Sequence, residues 1–290
     1  MNFMRFKWLY FVISALFLIP GIYSLVRWGF KPSIDFAGGA LLEYRAEKKL
    51  DLGMIEDILK EVNFNYVSLQ ESGEKNFLIK SETVGREKAS EIKEKIAVKL
   101  ETTLTEIRFE TVGPTLGREL LAKTLVAVIL ASITILAFVG WRFRDKKFGV
   151  CAILAMFHDT LILLGSFSLL GHFFGVEIDT LFVTAVLTIL SFSVHDTVVV
   201  YDRIRESQKL FPKARFEELA DKAVTETLVR SLNNSFTIIF MLVALLLMGG
   251  ATVKWFVIAL LIGTVAGTYS STFTAVPLLV IWEKLKVRRS

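Results

Sequence analysis

Two His-Asp pairs, His158-Asp159 and His195-Asp196, lie inside stretches of the chain that are otherwise apolar. An ionisable side chain within a membrane span is costly to insert, so each such residue is a candidate for function. Burial in a low dielectric favours the neutral form of a carboxyl group, whereas a neighbouring cation favours the charged form. Arg230 stands at the start of the next apolar run and could be that cation. Carboxyl groups that can change protonation, with a basic partner at one end, are what a proton relay requires.

Each of these residues also has a simpler interpretation. Both histidines fit hydrogen-bonded packing residues better than proton carriers, and Arg230 could extend along its helix to the membrane surface. The aspartates could bond to a neighbouring helix, but their insertion cost favours a function. Imidazole and carboxylate ligands also suit zinc or manganese, although neither pair has the histidine spacing of a zinc-protease helix. We therefore expect no metal site and no enzyme active site.

The distribution of charge predicts an integral membrane protein. Hydrophobic residues make up 53% and charged residues 22% of the 290 residues, and the charges are clustered. Between the clusters lie apolar runs that are long enough to cross about 30 Å of hydrocarbon as helices. These six runs are residues 7–28, 120–141, 148–170, 180–201, 231–249 and 254–282. Each of them is predicted to be a transmembrane helix.

Lysine and arginine predict the orientation, because they are enriched in the cytoplasmic segments of membrane proteins. They cluster at the two ends of the chain and in two internal loops, whereas the short loops on the other side hold one lysine, Lys254. The clustered residues are Arg5, Lys7, Arg142, Arg144, Lys146, Lys147, Arg203, Arg205, Lys209, Lys213, Arg215, Lys222, Lys284, Lys286, Arg288 and Arg289. Both termini are therefore predicted to be cytoplasmic. The net charge of +5 follows from this topology and does not indicate nucleic-acid binding.

A charged insertion, residues 31–118, separates the first two predicted helices and has about the size of a small domain. Four segments have strand patterns and two have helical spacing. The strands are 34–45, 66–70, 76–80 and 105–112, and the helices are 52–62 and 86–100. Their order, β-α-β-β-α-β, is that of a ferredoxin-like unit. Asp35, Gly38 and Gly39 fall in the first strand, where paired glycines predict a bulge or close backbone packing.

The predicted fold class is thus a polytopic α-helical membrane protein with six transmembrane helices and a small extracytoplasmic α+β domain. Residues 1–30 form the cytoplasmic N-terminus and the first helix, 31–118 the α+β domain, and 119–290 helices two to six with a cytoplasmic C-terminus. One further segment, 206–227, is charged and amphipathic, which predicts a helix that lies along the cytoplasmic membrane surface.

Six short motifs carry a resemblance to a known family. They are, in chain order, 35–39, 112–117 with Gly113, His158-Asp159, 193–206 with Asp196, 227–232 with Arg230, and 267–271 followed by Pro277. Together with the order of one helix, a soluble domain and five helices, these motifs resemble the SecF branch of the SecD/SecF family, in the resistance-nodulation-division superfamily. The resemblance covers nearly the whole chain, and six motifs in one order are far more specific than any one of them.

The resemblance implies a role in protein export. It implies SecD, the SecYEG channel and YajC as partners, an unfolded polypeptide as cargo, and the bacterial inner membrane as the location. It also implies that Asp196 and Arg230 belong to a proton path, so that the proton gradient takes the place of a cofactor. Many relatives have asparagine where this chain has His195, which either adds a titrating group or replaces one hydrogen-bonding side chain by another.

These residues suggest a mechanism in which protonation of Asp196 weakens its pairing with Arg230 and lets the fourth helix move. The motion would reach the outer domain through the first two helices. Two alternative functions remain open. The first is an exporter of small molecules or lipids of the same superfamily, although the outer domain is poor in the aromatic residues of a ligand pocket. The second is a structural scaffold, which has no need of charges in the membrane.

Overall fold

The structure of the chain is a computed structural model that describes residues 2–143 and 145–287. Arg144, Arg288 and Arg289, which contribute to the predicted orientation, lie outside the described residues. The chain divides into two compact units, one of which is Pro32–Leu125 and the other the remainder. Each unit has a hydrophobic core of its own.

Ten helices and four strands follow one another along the described residues. They are α1 (Lys7–Arg27), α2 (Ile34–Ala37), β1 (Gly39–Ala46), α3 (Leu52–Glu61), β2 (Tyr66–Glu71), β3 (Asn76–Ser81), α4 (Arg86–Lys99), β4 (Leu104–Val112), α5 (Pro114–Arg142), α6 (Lys146–Phe174), α7 (Thr180–Leu210), α8 (Phe216–Met248), α9 (Ala251–Ser270) and α10 (Val276–Val287). A 3₁₀ turn at Phe3–Phe6 leads into α1, and a π-helical segment, Ser271–Ala275, joins α9 to α10.

The six predicted transmembrane helices are confirmed. Among the described residues, six helical stretches of 25 to 35 residues are long and apolar enough to span a membrane. Five of them are α1 and α5 to α8, and the sixth is the continuous stretch from α9 to α10. Most of them extend well beyond the predicted apolar runs, because backbone hydrogen bonding continues after the side chains become polar. The chain is therefore a multi-pass membrane protein.

No separate surface helix covers residues 206–227, so that prediction is wrong. Helix α7 continues to Leu210 and α8 begins at Phe216, which leaves a connection of only a few residues. The apolar face that suggested a surface helix packs against protein instead. Its buried residues are Leu219, Ala220, Ala223 and Val224, which belong to the first turns of α8.

Helices α6, α7 and α9 form the centre of the membrane unit, where each packs against the other two, and α8 packs against α7 and α9. Helix α1 lies against α6, and glycine permits their close approach. A Cβ atom added to Gly165 would lie 2.5 Å from the Cα of Gly21. Near the same crossing, the hydroxyls of Ser24 and Ser168 are 2.7 Å apart. Small residues at a crossing let helix backbones pack directly, as is common in membranes.

The unit Pro32–Leu125 contains a four-stranded antiparallel sheet in the order β2-β3-β1-β4. The predicted small α+β domain with its β-α-β-β-α-β order is confirmed. Alternating residues of β1, among them Leu42 and Tyr44, pack with Ile55 of α3 and Ile96 of α4 into the core. The Tyr44 hydroxyl donates a hydrogen bond to the Ala89 carbonyl at 3.2 Å. Burial, with a contribution from the Glu106 carboxylate, raises the pKa of Tyr44 to about 12.

The first strand begins later than predicted, because residues 34–37 form the helical turn α2. Asp35 therefore lies in that turn and not in a strand, and its backbone N–H donates to Ser33 Oγ at 3.2 Å. Gly38 and Gly39 follow with φ angles of +79° and +130°, a backbone region that favours glycine. A Cβ at Gly38 would lie 2.8 Å from the Cα of Pro114, so the glycine pair makes room for the turn, around Gly113, that leads into α5.

Candidate functional site

The Asp159 carboxylate lies in the middle of α6 and is fully buried. Its Oδ2 accepts hydrogen bonds from Ser193 Oγ of α7 at 2.5 Å and from Ser270 Oγ of α9 at 2.6 Å. Its Oδ1 lies 2.9 Å from Nδ1 of His158. Three helices thus supply the groups around one carboxylate, and one of those groups, the imidazole, can itself take up a proton.

The Asp196 carboxylate of α7 is 4% exposed and is held by two hydroxyls. Its Oδ1 accepts from Ser231 Oγ of α8 at 2.9 Å, and its Oδ2 accepts from Ser271 Oγ at 2.8 Å. A serine hydroxyl can both donate and accept, so this cage can bond the carboxyl group in its charged and in its protonated form. A fixed guanidinium would instead favour the charged form.

The two carboxylates are joined by consecutive residues of one helix. Ser270 is the last residue of α9 and Ser271 is the first of the π-helical segment, and each bonds to one of the two aspartates. Single π turns are frequent at functional sites. The Tyr201 hydroxyl donates a hydrogen bond to the backbone carbonyl of Ala275, the last residue of this segment, at 2.8 Å.

The second ring nitrogen of His158 stands apart from the hydrogen bonds that surround Asp159. This Nε2 is buried and has no hydrogen-bond partner among the described residues. The imidazole ring lies nearly parallel to the ring of Tyr269, with 6.4 Å between the ring centres. Buried polar atoms almost always have a partner, so this nitrogen is an exception within the described part of the chain.

The other two predicted relay residues lie apart from the two carboxylates. The Arg230 side chain is exposed, and no described residue forms an ion pair with it, so the expected pairing of Asp196 with Arg230 is not present. Neighbouring positions differ by about 100° around a helix, and Ser231 occupies the position that faces Asp196. His195 is exposed for the same reason, because its neighbour Asp196 points inward.

An open cleft lies between the charged ends of α7 and α8 and has a volume of about 430 Å³. Its lining residues are Val199, Asp202, Arg203, Glu206, Glu226, Thr227 and Arg230. Arg203 pairs with Glu206 on its own helix and with Glu226 across the cleft, and Asp202 pairs with Arg142 and Arg205. Asp202 and Arg203 therefore each take part in two ion pairs.

The described part of the chain offers little to a metal ion. No group of three or more His, Cys, Asp or Glu side chains within it is arranged to hold one. The partners of Asp159 and Asp196 are mostly serine hydroxyls, which are not among the ligands that zinc prefers.

Comparison with known protein families gives a match to the C-terminal region of the protein export membrane proteins SecD and SecF, over residues 74–285. The chain belongs to the SecD/SecF family. The matched region contains the last strands of the α+β domain and both buried carboxylates.

Curated relatives of the family align with nearly the whole chain. A protein translocase subunit SecF of Thermobaculum terrenum is 43% identical and covers 96% of this chain and 93% of that protein. A SecF of Anaerolinea thermophila is 37% identical over 98% of this chain and 94% of its own length. A protein translocase subunit SecDF of Thermus thermophilus is 34% identical over 94% of this chain, which spans only 37% of that longer protein.

Solved structures of the family share the fold. The crystal structure of the Thermus SecDF, described as a translocon-associated membrane protein, matches with a TM-score of 0.86 and 33% identity. That match covers 98% of this chain and 39% of the SecDF chain. A SecDF structure in a super-membrane-facing form matches with a TM-score of 0.73, also at 33% identity, over 100% of this chain and 39% of the other.

The residues that sequence reasoning missed are those that hold the carboxylates. They are Ser193, Ser231, Ser270 and Ser271, and Tyr201, which bonds to the π-helical segment, was missed as well. Serine in a membrane helix commonly bonds to its own backbone, so its presence alone carries little signal. The usable signal was spacing. Ser193 lies three residues before Asp196, so both face the same side of α7, and Ser231 follows Arg230 directly.

Proposed function

We propose that this chain acts as the SecF subunit of the Sec protein-export machinery and, together with SecD, uses the proton-motive force to complete translocation of polypeptides. The observation that carries the proposal is the hydroxyl cage around Asp196, a carboxyl group buried in the membrane unit and held without a fixed cation among the described residues. Family membership supports the export role, since the relatives described above are named as protein translocase subunits.

The proton path runs through two stations. His158 and Asp159 form the first station, and Asp196 with its two serines forms the second. Ser270 and Ser271 hold one station each and are adjacent in the chain, so a change at either carboxyl group pulls on the same stretch of α9. Arg230 acts from the cleft, where its charge lies close to the Asp196 helix without neutralising the carboxylate. His195 stays a predicted member of the path, acting from the exposed face of α7.

Proton binding does mechanical work by changing the bonds that hold α7, α8 and the π-helical segment together. A protonated Asp196 can donate one hydrogen bond, whereas the charged form only accepts, so its two serines must reorient. Moving one charge through a potential of 100 mV supplies about 2.3 kcal/mol, which is enough to bias an equilibrium between two helix arrangements.

The proposed partners follow from the family. SecD is the first, because the Thermus relative carries the name SecDF and the chain spans about two fifths of it. SecYEG is the proposed channel, YajC a further partner and an emerging unfolded polypeptide the cargo. The proposed location is the bacterial inner membrane with both termini in the cytoplasm, which places the α+β domain outside the cytoplasm.

The test is export of a preprotein into inverted membrane vesicles that contain SecD, SecYEG and either this chain or its Asp196→Asn variant. The isosteric change keeps an acceptor for the serines and removes the titratable group. We expect the variant to lose the stimulation of export by the proton gradient while export driven by ATP alone continues. Unchanged stimulation in a variant that still co-purifies with SecD would overturn the proposal.

A matched control is Asp179→Asn. Asp179 is the N-cap of the same helix and accepts a hydrogen bond from the Phe182 N–H at 2.7 Å. Asparagine caps helices about as well as aspartate. This control removes one carboxylate from α7 without touching the buried site, so we expect normal gradient-driven export.

A further inference from the structure

The charged cleft between α7 and α8 reaches close to the buried Asp196. Asp196 precedes Val199 by three residues on α7, a rise of about 4.5 Å. Thr227 precedes Ser231 by four residues on α8, a rise of about 6 Å. Val199 and Thr227 both line the cleft, while Asp196 and Ser231 are bonded to each other just beyond it. The inner end of the cleft thus lies one helical turn from the carboxyl group.

The cleft is suited to water and to protons. Its volume of about 430 Å³ has room for on the order of ten water molecules. Three carboxylates line it, from Asp202, Glu206 and Glu226, against the two guanidinium groups of Arg203 and Arg230. Arg142 and Arg205 also pair with Asp202, so charges of both signs surround the cleft and make its lining hydrophilic.

The layer between the cleft and the carboxyl group is thin and mostly apolar. Val199 is half-buried and carries no polar side-chain atom. Thr227 is 5% exposed, and its hydroxyl donates to the Ala223 carbonyl at 2.8 Å, so its hydrogen is already engaged. Water in the cleft is therefore separated from Asp196 by about one layer of side chains.

We propose that this cleft is the aqueous path through which Asp196 exchanges its proton with one side of the membrane, and that Val199 and Thr227 form the barrier at its inner end. When the barrier opens, the O–H bond of the Asp196 carboxyl breaks and a cleft water takes up the proton. The carboxylate that remains accepts hydrogen bonds from Ser231 and Ser271, as in the structure. The reverse step reloads it. The inference deepens the proposed function and rests on Asp196 being a proton carrier.

The first test is chemical access to Val199. The variant Val199→Cys is made in a Cys151→Ala background, which removes the single native cysteine, and is treated in oriented vesicles with a charged, membrane-impermeant methanethiosulfonate. The matched control is Val198→Cys, the neighbouring position, which packs against the core and does not line the cleft. We expect the Val199→Cys thiol to react at least about tenfold faster, and from one face only. Equal rates, or no reaction, would overturn the inference.

The second test measures the barrier itself. Val199→Ser places a polar side chain in the thin layer, so passive proton uptake into proteoliposomes that hold the SecD complex should rise severalfold. Adding Asp196→Asn should return the uptake to the level of the native chain. An unchanged rate in Val199→Ser, or a raised rate that survives Asp196→Asn, would show that the cleft does not lead to Asp196.

The two proposals fail in different ways. If Asp196→Asn exports normally with the gradient, the proposed function fails even where the Val199→Cys thiol reacts. If that thiol is unreachable while Asp196→Asn abolishes gradient-driven export, the proposed function stands and the path through the cleft is wrong.

Discussion

The two buried aspartates of the membrane unit accept similar hydrogen bonds from serines, but they differ in their other surroundings. Each carboxylate accepts from two serines on neighbouring helices, and one serine of each pair comes from the junction between α9 and the π-helical segment. Asp159 also contacts His158, whereas the two side-chain partners found for Asp196 are both hydroxyls. Asp159 is fully buried, and Asp196 lies one turn from an open cleft.

Under the proposed function, this difference gives the two carboxyl groups different roles. The Asp159 station holds two groups that can bind a proton, so it can store one even when a single group is changed. The Asp196 station holds a single titratable group one helical turn from the cleft, which suits the proposed exchange of a proton. The proposed relay needs both properties, and it would draw them from Asp159 on α6 and Asp196 on α7.

The largest expected effect separates the two stations directly. Asp196→Asn should abolish gradient-driven export, because no other titratable side chain bonds within that cage. Asp159→Asn should lower it only about tenfold, equivalent to about 1.4 kcal/mol, because His158 still offers a proton site beside it. Export into vesicles at a fixed proton gradient measures both. Equal and complete loss of gradient-driven export in the two variants would show that the two stations do not differ in this way.

The next prediction tests the redundancy of the first station. Adding His158→Gln to Asp159→Asn should bring export down to the level of Asp196→Asn, since the station then holds no titratable group. His158→Gln by itself should cost less than either aspartate change. The single variants serve as controls for folding. A double variant no worse than Asp159→Asn alone would show that His158 only packs, as its simpler interpretation holds.

Part of this architecture was predictable from the sequence. The apolar runs predicted six spans because a hydrophobic stretch of about twenty residues matches the thickness of the hydrocarbon layer. Alternating residues predicted most of the strands of the α+β domain. The first strand was misplaced because 34–37 also alternate, and only the positive φ angles of Gly38 and Gly39 separate the turn α2 from β1.

The site was predictable at the level of its ionisable residues but not of their partners. The cost of burying a carboxylate made Asp159 and Asp196 stand out, and it suggested a cation as the partner. The structure instead places Ser231 beside Asp196, with Arg230 one position away and facing the cleft. Which of two adjacent residues faces inward depends on the rotation of α8 against α7, and that rotation is set by packing of the whole bundle.

The serines of the junction offer a smaller and more local comparison. Ser271→Ala leaves Asp196 with Ser231 as its remaining partner, whereas Ser270→Ala leaves Asp159 with both Ser193 and His158. Loss of a buried hydrogen bond costs about 1–3 kcal/mol, and we expect Ser271→Ala at the upper end and Ser270→Ala at the lower end. Thermal unfolding of the purified complex in detergent measures both. The opposite order would mean that hydroxyl bonds matter more to the His158-Asp159 station.

The smallest expected effect concerns the π-helical segment that both stations share. Tyr201→Phe leaves the ring in place and removes the hydroxyl that donates to the Ala275 carbonyl at 2.8 Å, at a cost of about 1 kcal/mol. Because Ser271, at the start of the segment, and Ser270, just before it, serve different carboxylates, loosening the segment should affect both stations alike. We therefore expect Tyr201→Phe to weaken the Asp159→Asn and Asp196→Asn proteins by the same shift in melting temperature. The exposed Tyr23→Phe is the matched control and should change neither. A larger shift in one of the two variant proteins would mean that the π-helical segment stabilises that carboxylate alone. The contacts of Ser270 and Ser271 would then be independent of each other.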